Sequence, residues 1–141
     1  MKPFALSLSL ALTLCACTAG PGRPGGPPLR LTANPGAVIA ADLAFNSMAQ
    51  TKGQWSAFQA TAAPDAEMFV PQRVVAAEWL KGRADPTVPA SWQPHSVWSS
   101  CDGSYAVTTG EWQQQPGANG AYATLWQRQD GGGLKWLSDM S

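Results

Sequence analysis

The stretch "SVWSSCDGSYAVTTGEW", Ser96 to Trp112, constrains this chain more than any other. Asp-Gly between two runs of alternating character is the signature of a two-residue β-hairpin turn, because both central positions need positive φ. A turn at Asp102-Gly103 fixes a register. Ser100 then faces Tyr105, Trp98 faces Val107, Ser96 faces Thr109 and Pro94 faces Glu111 on one side of the sheet. Ser99–Ala106, Val97–Thr108, His95–Gly110 and Gln93–Trp112 occupy the other. The first side is more apolar near the turn. It is therefore expected to be concave, with Trp98, Tyr105 and Val107 in the core or pocket wall and Thr109 farther along. A bulge would reverse part of this assignment.

The rest of the chain extends the pattern in both directions. "QQPGANG" and "QDGGG" are turns that lead into strands at residues 121–129 and 134–139. Upstream, Asn34 is a natural N-cap and Pro35 suits the first helical position. Val38, Ala41, Phe45, Met48 and Ala49 recur at helical spacing, Asp42 flanks that face, and Gly53 is a stop. "QWSAFQATA" predicts a short second helix ended by Pro64. "AEMFVPQRVV" predicts two short strands around Pro71, and "AAEWLKGR" a brief helix. Helices first and a meander last predict an α+β fold, a sheet with helices on one face. No internal repeat is present.

The N-terminal residues have a separate purpose. Lys2 followed by "FALSLSLALTLCA" is a short apolar run behind a positive end, which reads as a secretory signal and is too short for a stable membrane span. "LCAC" resembles the lipobox of bacterial lipoproteins. That resemblance implies cleavage before Cys17, lipidation of Cys17, and a firm anchor, since several acyl chains hold where one is marginal. Cys15 fits less well because bulky Leu14 precedes it. Ordinary cleavage after Ala16 or Ala19, giving a free secreted protein, is the alternative. The division is thus a signal over residues 1–16, a Gly/Pro-rich tether over 17–33 and a folded domain over 34–141. Only Cys101 would then remain in the folded part, so the mature domain has no intramolecular disulfide.

The helix pair, "GQWSAF", "PDAEMFVPQ", "EWLKGR", "WQPHSVWSSCDGSYAVTTGEW" and "YATLWQRQDGGGLKWLSD" together resemble the nuclear-transport-factor-2-like superfamily, in its SnoaL-like branch. The resemblance spans about Ala37 to Asp139. It implies a cone: a strongly curved antiparallel sheet wrapped around the N-terminal helices, with a pocket at the open end. Isomerases, cyclases, dehydratases, hydrolases and plain binding proteins share that cone, so the fold does not fix the function. Related sequences often end the last strand with Asp-His; here the pair is Asp139-Met140, and the histidine's role has no counterpart.

Chemistry is sparse in this composition. Charged residues make up 13% of the chain, against about 25% in a typical soluble domain. The formal net charge is zero and no basic cluster occurs, which leaves out the electrostatic footprint of a nucleic-acid binder. His95 and Cys101 lie six residues apart on one strand, roughly 20 Å, too far for a nucleophile–base pair. They do not gather a metal ligand set either, and no cofactor is expected. Enzymes on this cone often use a carboxylate that desolvation turns into a base. Among Asp42, Glu67, Glu78, Glu111 and Asp139, the candidates are Asp42, beside the apolar helix face, and Asp139, near the end of the last strand. Seven tryptophans are too many to bury fully in so small a domain. Trp55, Phe69, Trp98, Tyr105, Thr109 and Trp126 are the expected pocket residues.

Three functions fit these features. The first is a membrane-anchored, periplasm-facing domain that binds a small apolar or aromatic molecule. The second is an isomerase, lyase or hydrolase using one pocket carboxylate. The third is a homodimeric structural or interaction module. The anchor is the easiest part to test. Cys17→Ser is expected to move the protein from the membrane fraction to the soluble fraction; retention in the membrane fraction would refute the lipobox.

Overall fold

Asn34 and Pro35 open the first helix as their chemistry dictates. In a computed structural model, which describes residues 32–141, α1 runs Pro35–Lys52. The Asn34 side chain accepts from the Ala37 amide at 3.1 Å, and the Gly53 amide closes the far end on the Ala49 carbonyl. Val38, Asp42, Phe45 and Ala49 form its buried stripe. α2, Gln54–Thr61, follows at once. Its N-terminus is capped from a distance: Asp85 accepts from the amides of Trp55 and Ser56 and from the Ser56 hydroxyl. Asp85 does this from a loop 30 residues downstream of Trp55. The signal segment, the tether up to residue 31 and Cys17 lie outside the described residues.

The strands are β1 Ala62–Phe69, β2 Arg73–Val75, β3 Ser91–Ser99, β4 Tyr105–Gln114, β5 Ala118–Arg128 and β6 Leu134–Met140, with α3, Ala76–Leu80, after β2. They form one curved, unclosed sheet in the order β2-β1-β6-β5-β4-β3. All neighbours are antiparallel except β1 and β6, which run parallel. That pairing departs from an all-antiparallel sheet, and it requires the long excursion through β2, α3 and the meander between them. The α+β class and the cone expected from the sequence are what the chain adopts.

The core lies between the helices and the sheet's concave side. Phe45 sits edge-on to Phe58 at 4.7 Å, to Trp92 at 4.8 Å and to Trp126 at 6.1 Å. Such pairs add about 0.5–1.5 kcal/mol each beyond the area they bury. Trp136 is fully buried against Phe58, and its indole N–H donates to the Phe58 carbonyl.

Two bulges decide which residues look inward. The hairpin register holds as expected from Ser99–Ala106 to Ser96–Thr109. Then His95 is skipped, and Pro94 faces Gly110 instead of Glu111. The shift turns Trp92 into the core. Gly110 permits it, since a Cβ there would lie 2.1 Å from the Gln93 carbonyl and 2.8 Å from the Tyr122 ring. On β6, Leu125 faces Ser138 while Trp126 faces Trp136, so Leu137 is the extra residue. Trp136 and Asp139 are three positions apart, yet both are buried. A regular strand would send them to opposite faces.

The face assigned to the interior near the turn is corrected. Ala106 and Thr108 point inward and are buried, while Trp98 and Tyr105 are 60% and 44% exposed. Local apolarity misled because the inward positions must be small, or able to bond a buried polar group. Thr108 does the latter, and Ala106 leaves room for the helices.

Gly53 ties these parts together. Its φ of +107° suits glycine, and a Cβ there would meet the Asp85 carboxylate at 2.2 Å. Gly53→Ala is expected to destabilise the domain by about 1–3 kcal/mol, read as a lower urea midpoint with an unchanged slope.

Candidate functional site

A carboxylate on an otherwise apolar helix stripe must be bonded or neutral. Asp42 is 0% exposed and is held from three strands. The Trp92 indole N–H of β3 donates to its Oδ1 at 2.9 Å, and the Tyr122 hydroxyl of β5 reaches both oxygens at 3.3–3.4 Å. The Thr108 hydroxyl of β4 also bonds it, and Thr108 in turn accepts from the Trp126 indole at 2.9 Å. Burial lifts the Asp42 carboxyl above its usual range, while the Thr108, Trp92 and Tyr122 hydrogen bonds pull the other way. Burial, helped by the Asp42 charge, pushes the Tyr122 phenol up, so it stays a donor.

Asp139 is the second buried carboxyl, 4% exposed. Thr124, opposite it on β5, donates its hydroxyl to Oδ2 at 2.7 Å. Oδ1 has no hydrogen-bond partner within bonding distance. Burial raises its pKa to about 6; hydrogen bonding from the Thr124 and Ser141 side chains opposes the rise, and the Asp42 charge adds to it.

A cavity of about 200 Å³ lies against these groups. Phe45, Phe58, Trp92, Trp112 and Tyr122 supply aromatic walls. Gln54, Gln114, Thr124, Asp139 and Ser141 supply polar ones. It is smaller than the roughly 300–1,000 Å³ of a typical drug-sized pocket. Trp112 can lie flat on β5 because Gly120 has no side chain; a Cβ there would be 2.8 Å from the indole nitrogen.

Both catalytic candidates from the sequence are therefore near this cavity. Asp139 lines it directly, and Asp42 stands behind Trp92 and Tyr122. The expected pocket residues are elsewhere. Trp98 and Tyr105 are on the outer face. Thr109 neighbours inward Thr108 on the strand and so points the other way. Phe69 is 36% exposed beside inward, buried Met68. Trp55 packs edge-on to Phe58 and to Trp79, whose ring is covered by Arg83. Trp126 is in the core, under Phe45 rather than at the cavity. Sequence reasoning missed Tyr122, Thr124, Trp92 and Trp112. The period-2 spacing of Tyr122, Thr124 and Trp126 was a usable signal; the bulge behind Trp92 was not. His95 and Glu111 line a separate polar groove on β3 and β4. Among the described residues, no group of three or more His, Cys, Asp or Glu could hold a metal, and no helix is long and apolar enough to cross a membrane.

No protein-family model matches the chain, and no curated protein matches it. Solved structures do. One is a Parabacteroides distasonis protein bearing the name of ketosteroid isomerase, at 13% identity and TM-score 0.57, covering 79% of this chain and 93% of that one. Another is nuclear transport factor 2 of Cryptosporidium parvum, at 11% identity and TM-score 0.52, covering 78% and 96%. A third is Aln2 of a Streptomyces species, at 14% identity and TM-score 0.53, covering 74% and 86%. The fold is that of the nuclear-transport-factor-2-like proteins.

The raised Asp139 pKa has a stability consequence. The folded state keeps this proton to higher pH than the unfolded chain. The group's favourable contribution is complete below about pH 4 and is lost as pH rises through about 6. Asp139→Asn removes the penalty. At pH 8 the variant is expected to be more stable than the parent by about 3 kcal/mol, and at pH 4 nearly equal to it. Urea midpoints at the two pH values check this. An offset that is the same at both would refute it.

Proposed function

We propose that this chain is a small-molecule-binding domain of the bacterial cell envelope, held by a lipid on Cys17 and facing the periplasm. The observation that carries the binding reading is the aromatic-walled cavity closed by Asp139, with Asp42 buried behind it. Aromatic walls with a few polar groups among them suit a small ligand with an apolar body. The anchor rests on the signal-like run and the "LCAC" segment alone.

A second reading is favoured by one feature. A carboxyl with a pKa of about 6 at a cavity wall is poised as a general base near neutral pH. That supports an isomerase, lyase or hydrolase in which Asp139 takes the proton. Asp42 is the less available of the two, because Trp92, Tyr122 and Thr108 already occupy its oxygens. An interaction module would use the outward Trp98 and Tyr105 as its dimer face.

Native mass spectrometry of the Cys17→Ser protein, purified gently from its own kind of cell, tests the reading. A retained small molecule is the expected result, and the same spectrum gives the oligomeric state. A ligand-free dimer would shift the assignment to an interaction module.

A further inference from the structure

Resting on the lipid anchor proposed above, we infer that the domain docks on the bilayer surface through the outer face of its Asp102-Gly103 end, with Trp98 and Tyr105 in the headgroup layer and the cavity end turned to the water. Three observations point there. The first is where the chain leaves the domain. The Thr32 amide donates to the Cys101 carbonyl at 3.1 Å, and its hydroxyl donates to the Asp102 carbonyl. Arg128 clamps the pair: its Nε donates to the Gly103 carbonyl at 2.8 Å and its Nη2 to the Thr32 carbonyl at 3.5 Å. Gly103 is buried there, and a Cβ on it would lie 2.6 Å from the Thr32 carbonyl. The chain that leads back to Cys17 is thus pinned to the hairpin turn. Fifteen residues separate Cys17 from Thr32, and a Gly/Pro-rich chain of that length reaches roughly 20–45 Å. The turn end is therefore the end of the domain held nearest the lipid.

The second is what that end exposes. Trp98, at 60%, is the most exposed large apolar side chain among the described residues, and Tyr105 is 44% exposed. They lie three residues before Cys101 and two after Gly103, on the same outer face. Val107 and Leu125, both half-buried, continue the row across the sheet from Trp98. Trp and Tyr are the side chains that favour the boundary between headgroups and acyl chains, with the ring in the apolar layer and the polar tip in the wet one. Two such rings bind a bilayer weakly by themselves. A short tether supplies an effective concentration of order millimolar, which makes weak contact sufficient. Asp102 and Asp130 stand at this end against Arg128 and Lys135, so the contact is not electrostatic.

The third is the position of the cavity. Trp92, at the start of β3, and Gln114, at the end of β4, line it. Gln114 is nine residues along β4 from Tyr105, roughly 30 Å. Docked at the turn, the domain presents its cavity to ligands arriving through water, not out of the lipid.

The test uses the lipidated full chain in phosphatidylcholine vesicles whose acyl chains are brominated near the glycerol. Bromine quenches only tryptophans at the bilayer. Flotation with the vesicles is expected, with a loss of about one-seventh of the emission, the share of one tryptophan in seven, at low and high salt alike. Trp98→Ser should float as before and lose the quenching, which leaves Trp92 and Trp112 at the cavity clear of the lipid. Tyr105→Ser, which keeps every tryptophan, should weaken the quenching. A parent that floats but is not quenched overturns the docking and leaves the anchor standing; if it is also dimeric, the outer face belongs to a second copy. Quenching that survives Trp98→Ser means that another face meets the lipid, and quenching that high salt abolishes means an electrostatic contact; either overturns the inference. A parent that does not float removes the anchor, and the docking falls with it.

Discussion

The buried carboxylate of Asp42 is the point on which the rest of the structure turns. It sits on the inward stripe of α1 and is bonded by residues from β3, β4 and β5. A carboxylate without water needs several donors, and here each comes from a different strand. The bonds therefore fix where the helix lies across the concave sheet. They also orient Trp92 and Tyr122, whose rings then form two walls of the cavity. Removing one donor would leave a polar group unmet in the interior, a larger loss than the worth of the bond itself. The energy of this network is one matter; its geometry is the other, because it places the aromatic walls before any ligand arrives.

The bulges are the second half of the device. A strongly curved sheet cannot keep strict alternation along every strand, and each bulge swaps the faces beyond it. At His95 the swap brings Trp92 in to meet Asp42. At Leu137 it brings Asp139 in to meet Thr124. Both insertions thus serve the same region, the end of the sheet away from the Asp102-Gly103 turn. Near that turn the inward side is occupied by Ala106 and Thr108, and the large Trp98 and Tyr105 face outward.

The two carboxyls have different environments and so different capacities. Asp42 is saturated with donors, which favours a fixed, structural charge or proton. Asp139 lines the cavity with its Oδ1 buried and unbonded, and burial makes its proton state responsive near neutral pH. Asp139 is therefore the group at the cavity whose charge changes near neutral pH.

The sequence by itself determined the elements and the local register. Asn34-Pro35 and Gly53 bounded the first helix, and Asp102-Gly103 set the hairpin pairing up to Ser96, because caps and tight turns depend on a few neighbouring residues. It also singled out Asp42 and Asp139 as the carboxylates nearest apolar surface, since the helix stripe and the strand end are visible in the residue pattern. Tertiary structure alone decided which way the sheet faces. Trp98 and Tyr105 read as wall and are exposed, while Thr108 and Thr124 read as unremarkable and are buried. An inward polar residue becomes favourable only when a partner from a distant strand bonds it, and a bulge changes face without leaving a mark in the alternation. The parallel pairing of β1 with β6, and Asp85 reaching back to cap α2, are long-range in the same sense: they depend on where the curved sheet brings the chain, not on the residues beside them.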